Sequence, residues 1–65
     1  MIYENLRKVR EENGFSQRDI AEKLGVKQQQ YQRWETGKVE MPIKVFIKLA
    51  KIYNVSIDYL VAENL

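Results

Sequence analysis

The amino-acid sequence predicts an all-α fold, a compact five-helix bundle over residues 1–65 as a single domain. Apolar residues return at helical spacing along the chain. Between those stretches stand residues that start and stop helices: Asn13-Gly14, Ser16, Gly25, Gly37, Pro42, Asn54 and Ser56. Length adds a third constraint. Ordering costs about 1.5 kcal/mol per residue, which nearly cancels the apolar burial open to so short a chain. Nearly every helix must therefore feed one shared core, and a partner subunit can add to it.

The first helix is expected within residues 2–13, where Ile2, Leu6, Val9 and Asn13 share a face and charges fill the rest. Asn13-Gly14 ends it, since both residue types tolerate a left-handed backbone. Ser16 caps the second helix. Asp19, three positions on, completes a capping box, with Phe15 and Ile20 spaced as a hydrophobic staple. Ile20, Ala21 and Leu24 form the apolar stripe, and Gly25 ends the helix at Leu24 by turning left-handed. The third helix starts near Lys27 or Gln28 without a Ser, Thr, Asp or Asn cap. That omission costs about 1 kcal/mol, although a bound phosphate would satisfy the same N–H groups. Gly37 closes it. Pro42 suits the first turn of a fourth helix, where its missing N–H is not needed. Val45, Phe46, Leu49, Ala50 and Tyr53 face inward from that helix, Ile47 faces outward, and Asn54 ends it. Ser56 caps a short fifth helix reaching about Ala62, with Val55 and Leu60 as its staple.

Residues 17–36, QRDIAEKLGVKQQQYQRWET, are the part the other helices serve: two short helices joined by a tight turn at Gly25. Ala21 places a methyl-sized side chain where the two helices cross closely. On the second helix Tyr31 and Trp34 lie inward. Gln29, Gln32 and Arg33 lie opposite, with Gln28 at the leading end. That outer face holds no apolar residue and no acid. Glutamine and arginine carry forked hydrogen-bonding groups that match base edges in the major groove of DNA. The pattern is a helix-turn-helix whose second helix reads the DNA.

Composition narrows the alternatives. Without cysteine or histidine there is no disulfide, no thiolate nucleophile and none of the usual zinc ligands. No Gly-rich phosphate loop and no convergent pair of carboxylates points to an enzyme, so neither catalysis nor a metal or cofactor is expected. No apolar run approaches the 18 or so residues of a membrane span, and none follows a basic amino-terminal cap; a soluble, cytoplasmic chain is expected. The net charge of +2 is unevenly placed. Residues 1–26 balance at zero, residues 27–51 carry +4 and residues 52–65 carry −2. The positive potential surrounds the reading helix, as a phosphate-facing surface requires. A solvated lysine face accounts for Lys48 and Lys51.

Over almost its whole length the chain resembles the lambda-repressor-like, Cro-type (XRE-like) helix-turn-helix DNA-binding family. The resemblance is carried by LRKVREENGFSQRDIAEKLGV, RWETGK and IKLAKIYNVSIDYL, three pieces in order and at consistent spacing. It implies operator DNA as ligand and a twofold dimer that controls transcription. Residue by residue, it implies base contacts from Gln28, Gln29 and Arg33, with Lys27 and Gln32 as further contacts able to reach bases or phosphates. It also implies a phosphate contact from Gln17, and Thr36 and Lys38 beside the DNA backbone. Arg10 and Lys44 complete the expected phosphate set. Two departures from the family pattern stand out. Tyr31 replaces a common Ile or Val, which implies a slightly wider interface between the motif helices. Val39-Glu40-Met41-Pro42 replaces a loop that is often basic, leaving Lys44 and backbone N–H groups to substitute.

Arg10 and Glu35 each border the apolar stripe of their helix and match a pairing common in relatives, so a partly buried ion pair is expected. Ile57, Tyr59, Val61 and Leu65 exceed what the small core covers, and in relatives the segment matching Ile57 and Tyr59 lies near the twofold axis. These four are the expected contacts of a homodimer, which can form on the operator alone. Plainer roles compete: solvated helix positions for Gln28 and Gln29, a sideways orientation for Gln30, a pair with Glu22 or a place over Trp34 for Arg33, and core completion for Ile57 and Tyr59. The expected function is a sequence-specific regulator of transcription, a repressor on a palindromic operator. An antitoxin or a protein-interaction module on the same fold is the alternative.

Overall fold

Five α-helices follow one another along residues 3–62, the part of the chain that the computed structural model describes. They are α1 (Glu4–Glu12), α2 (Gln17–Leu24), α3 (Gln28–Glu35), α4 (Ile43–Tyr53) and α5 (Ile57–Val61), with no strand among the described residues. Ile2 lies outside the described residues. Each helix contributes one side chain with no exposed surface at all: Leu6, Ile20, Tyr31, Leu49 and Leu60. Around them close Val9, Ala21, Leu24, Trp34, Val45, Phe46 and Tyr53, together with Tyr3 and Met41 from outside the helices. No helix could leave this core without opening it, as so short a chain demands.

Four helix ends share one construction. Gly14, Gly25 and Gly37 have φ of 75°, 74° and 80°, and Asn54 has 56°. The residue after each donates its N–H back across the last turn. Phe15 reaches the Arg10 carbonyl at 3.1 Å, Val26 reaches Ala21 at 3.0 Å, Lys38 reaches Arg33 at 2.9 Å and Val55 reaches Ala50 at 3.0 Å. Such six-to-one bonds satisfy carbonyls that the helix itself cannot. Phe15, Val26 and Val55 are also half-buried against the core, so three of these stops double as hydrophobic anchors. At Gly25 it is conformation that calls for glycine and not crowding, because nothing lies within 4 Å of where a Cβ would sit. Asn13 keeps a negative φ of −90° and donates its side-chain amide to the Val9 carbonyl at 2.8 Å; it is a polar cap and not part of the apolar stripe.

The helix starts differ among themselves. Ser16 Oγ accepts the Asp19 N–H at 3.0 Å and the Asp19 carboxylate accepts the Ser16 N–H at 3.0 Å, a complete capping box. Hydrogen bonding from Ser16 to the carboxylate, its backbone N–H foremost, holds the Asp19 carboxyl below its usual range. Ser56 Oγ accepts the Tyr59 N–H at 3.0 Å. Pro42 stands one position before its expected place: it is the extended residue that caps α4 (φ −61°, ψ 146°), and its carbonyl accepts the Val45 N–H at 3.0 Å.

One polar interaction runs through the interior. Arg10 Nε and Nη2 donate to the two oxygens of Glu35 at 2.9 and 3.0 Å, and Nη1 donates to the Phe15 carbonyl at 2.7 Å. The two side chains are only 10% and 4% exposed. The contact ties α1, the α1–α2 turn and the last turn of α3 together. At the other end of α1, Asn5 Nδ2 donates to the Tyr59 carbonyl at 2.9 Å and holds α5.

Two expectations follow. In urea denaturation, Arg10→Met and Glu35→Leu should each cost about 3–5 kcal/mol by stranding a buried charge, while the double variant should cost clearly less than their sum; additive costs would show that the pair is not coupled. The Asp19 carboxyl has a lowered folded-state pKa, so its contribution is present above the ordinary carboxylate value, about pH 4, and is lost as pH falls through the lower folded value. Asp19→Asn should therefore flatten the acid limb of the stability profile without changing its shape above neutrality.

Candidate nucleic-acid interface

The turn between α2 and α3 decides which face of α3 meets solvent. Ala21 is buried at the crossing, Gly25 reverses the chain, and the half-buried Val26 pins the turn to the core. Lys27 then enters α3 in an extended conformation (φ −74°, ψ 148°) with no side-chain cap. Tyr31, Trp34 and Glu35 take the inward face. Tyr31 is wholly buried, so the larger side chain at this position is absorbed by the core.

The outward face carries Gln28, Gln29, Gln32 and Arg33, all exposed, and Gln30 is half-buried at its edge. Among the described residues no hydrogen bond or ion pair engages the side chains of those four. The plainer roles for Arg33 are not taken up. Glu22 faces Arg18 at 3.9 Å, and the cation resting on an aromatic ring is Lys23, 5.2 Å from the centre of Phe15. A row of forked side chains without internal partners remains, on a helix whose only acid, Glu35, is buried against Arg10.

The expected phosphate-facing residues divide. Gln17 is half-buried as the first residue of α2, and Lys27 and Lys44 are exposed at the starts of α3 and α4. Neither α3 nor α4 has a side-chain cap, so their first N–H groups and the positive end of each helix dipole are not masked by a side chain. Thr36 is exposed and donates its hydroxyl to the Gln32 carbonyl at 2.8 Å, which keeps that side chain against the end of α3. Lys38 is exposed just beyond. Arg10 leaves this set: both planar edges of its guanidinium are occupied by Glu35 and Phe15, and its side chain is 10% exposed. A separate groove along α1 is lined by Glu4, Arg7, Lys8, Glu11 and Glu12, with Glu35 and Thr36 on its α3 side.

The residues expected at a dimer contact divide as well. Ile57 and Tyr59 are half-buried and pack on the core, Val61 is 37% exposed, and Leu65 lies outside the described residues. Ile47 faces outward as its spacing implies, at 40%. Val39 (43%), Ile43 (63%) and Ile52 (37%) are exposed apolar residues that the sequence reading left unassigned. For Ile43 the signal was present, since it lies four residues before Ile47 and off the stripe of Val45, Phe46, Leu49 and Tyr53. Among the described residues no group of acidic side chains could hold a metal ion, and no helix is long and apolar enough to cross a membrane.

Comparison with known proteins agrees with this geometry. A family model described as helix-turn-helix matches residues 6–60. The chain is 42% identical over 60 residues to an SPbeta prophage-derived uncharacterized HTH-type transcriptional regulator, YonR, of Bacillus subtilis, covering 92% of this chain and 56% of that protein. It is 38% identical to the uncharacterized HTH-type transcriptional regulator YqaE of the same organism (92% and 52% covered) and 30% identical to its HTH-type transcriptional regulator ImmR (91% and 46%). The chain thus spans about half the length of these relatives. No solved structure matches it significantly.

Proposed function

Because the chain belongs to the helix-turn-helix family whose model covers residues 6–60, we propose that it binds double-stranded DNA sequence-specifically and regulates transcription from the cytoplasm, as a repressor on a palindromic operator. The observation that carries this reading is the outer face of α3, with Gln28, Gln29, Gln32 and Arg33 exposed, unpartnered and free of acid. In the major groove a glutamine pairs bidentately with adenine and an arginine with guanine, each pairing contributing about 1–3 kcal/mol of discrimination. Lys27 extends the base-reading set at the leading end of α3. Gln17, Lys38 and Lys44, with the uncapped starts of α3 and α4, hold the phosphates on either side, and Thr36 joins them by turning its hydroxyl away from the Gln32 carbonyl. The names of the relatives support the regulatory role.

Operator symmetry requires a protein dimer. In such a dimer Ile57, Tyr59, Val61 and Leu65 meet at a twofold contact that sets two copies of α3 about 34 Å apart, one turn of DNA. The half-burial of Ile57 and Tyr59 is compatible with a weak contact that forms on the operator. An antitoxin on the same fold would use the same face of α3. A protein-interaction module would leave that face without a duplex ligand.

A selection on random duplex DNA with the purified protein tests the core of this. It should return a palindromic site; recovery of unrelated sequences would exclude specific binding. On the selected site, Arg33→Ala should relax preference at one base pair of each half-site, costing about 1–3 kcal/mol there. Lys38→Ala should weaken all sequences alike and make the salt dependence shallower by about one phosphate contact. An Arg33→Ala variant that behaves like Lys38→Ala would move Arg33 to the phosphate set. Stoichiometry tests the dimer: two chains should occupy the full operator, and Ile57→Asp or Tyr59→Ala should reduce binding to it while leaving a single half-site unaffected. A half-site bound as tightly as the full operator, with both variants silent, would make the protein a monomeric binder.

A further inference from the structure

Besides the Arg10–Glu35 pair, two hydroxyl groups lie inside the bundle. The phenol oxygens of Tyr31 and Tyr53 are buried, and neither has a hydrogen-bond partner of ordinary geometry. Such a hydroxyl destabilises a core that phenylalanine would fill as well. Their surroundings, however, are polar. Tyr31 precedes Glu35 by one helical turn on the inward face of α3. The Tyr53 ring, from the last turn of α4, lies 6.2 Å from the ring of Phe15, whose carbonyl holds Arg10. Both phenols are pushed above their usual range, by burial first; the Glu35 carboxylate raises each further and Arg10 opposes it. Glu35 also has acceptor capacity left. Each of its oxygens takes one bond from Arg10 and keeps a second acceptor site.

We propose that Tyr31 and Tyr53 are positioning residues whose hydroxyls join the Arg10–Glu35 pair in one buried polar cluster, and that this cluster sets the roll of α3 about its own axis. Small adjustments of the two side chains let Tyr53 donate to Tyr31 and Tyr31 donate to Glu35, which satisfies both groups. An apolar stripe alone tolerates a helix turning by some degrees, because Tyr31 and Trp34 stay buried throughout. Directional bonds from α1 and α4 onto one face of α3 do not tolerate it. Roll matters because Gln28, Gln29, Gln32 and Arg33 project from the opposite face, where any rotation sweeps their tips across the surface. The existence of the cluster is independent of the DNA-binding reading; its consequence for base discrimination rests on that reading.

Tyr31→Phe and Tyr53→Phe test this, since both keep the ring and the fold can be checked by circular dichroism. In each variant the Arg10 Nε–H and the amides of α3 should exchange with solvent on the order of tenfold faster, as the loss of one net hydrogen bond would allow. Discrimination between the selected operator and single-base variants should fall several-fold at more than one position, while the salt dependence stays as in the parent. Unchanged exchange in both variants would overturn the cluster. Faster exchange with discrimination intact would overturn the positioning role. If the parent protein itself discriminates no duplex, the function proposed above fails, and the exchange of Arg10 and α3 still decides whether the cluster exists.

Discussion

The bidentate bond between Arg10 and Glu35 is the constraint on which the placement of α3 depends. Glu35 sits in the last turn of α3, where the helix dipole disfavours a negative charge, and almost no water reaches it. Only a cation delivered from elsewhere makes the position tolerable. Arg10 supplies it from α1, and its remaining edge holds the carbonyl of Phe15 at the entry to α2. One guanidinium thus fixes three points of the chain. Desolvation offsets much of the attraction, so the pair adds little net stability as a whole. Its effect is on geometry: α3 has few directional contacts of its own, and this one determines where its end lies.

The rest of the molecule fits such economy. Each helix is short, and α1 to α4 are each stopped by a left-handed residue whose successor closes the last turn. These stops leave little free loop between α1, α2 and α3. Where the successor is apolar, as at Phe15, Val26 and Val55, the turn is also buried. A reading helix can discriminate bases only if its side chains start from defined positions, and rigid turns provide them. The α3–α4 connection is built differently, with Lys38 in place of an apolar anchor and Met41 buried further along.

Charge is separated along the same lines. Cations gather around α3 and α4, while the groove along α1 sets Glu4, Glu11 and Glu12 beside Arg7 and Lys8. The modest net charge of +2 conceals this separation, and its arrangement decides more than its size.

Much of this was legible in the chain because it is encoded locally. A capping box, a left-handed stop or a 3.6-residue stripe is completed by residues within a few positions of each other, so Ser16–Asp19, Gly25, Asn54 and the five helices follow from spacing alone. The outward face of α3 was legible for the same reason, since Tyr31 and Trp34 define its opposite. What spacing could not supply were facts about residues far apart. That Arg10 spends its edges on Glu35 and Phe15, and so has none for phosphate, depends on how α1 packs against α3. That Tyr31 is absorbed without exposure, in a core that also buries Tyr53 of α4, depends on packing between residues twenty-two apart in sequence. That Ile57 and Tyr59 are half-covered by the core was not legible, because periodicity says which face a residue occupies and nothing about how far a neighbouring helix covers it. Local hydrogen bonds and periodic burial are enough to set the elements, their ends and their faces. Which polar groups are consumed inside, and which are left to meet a ligand, follows from the packed fold, because it depends on distances the chain order does not contain.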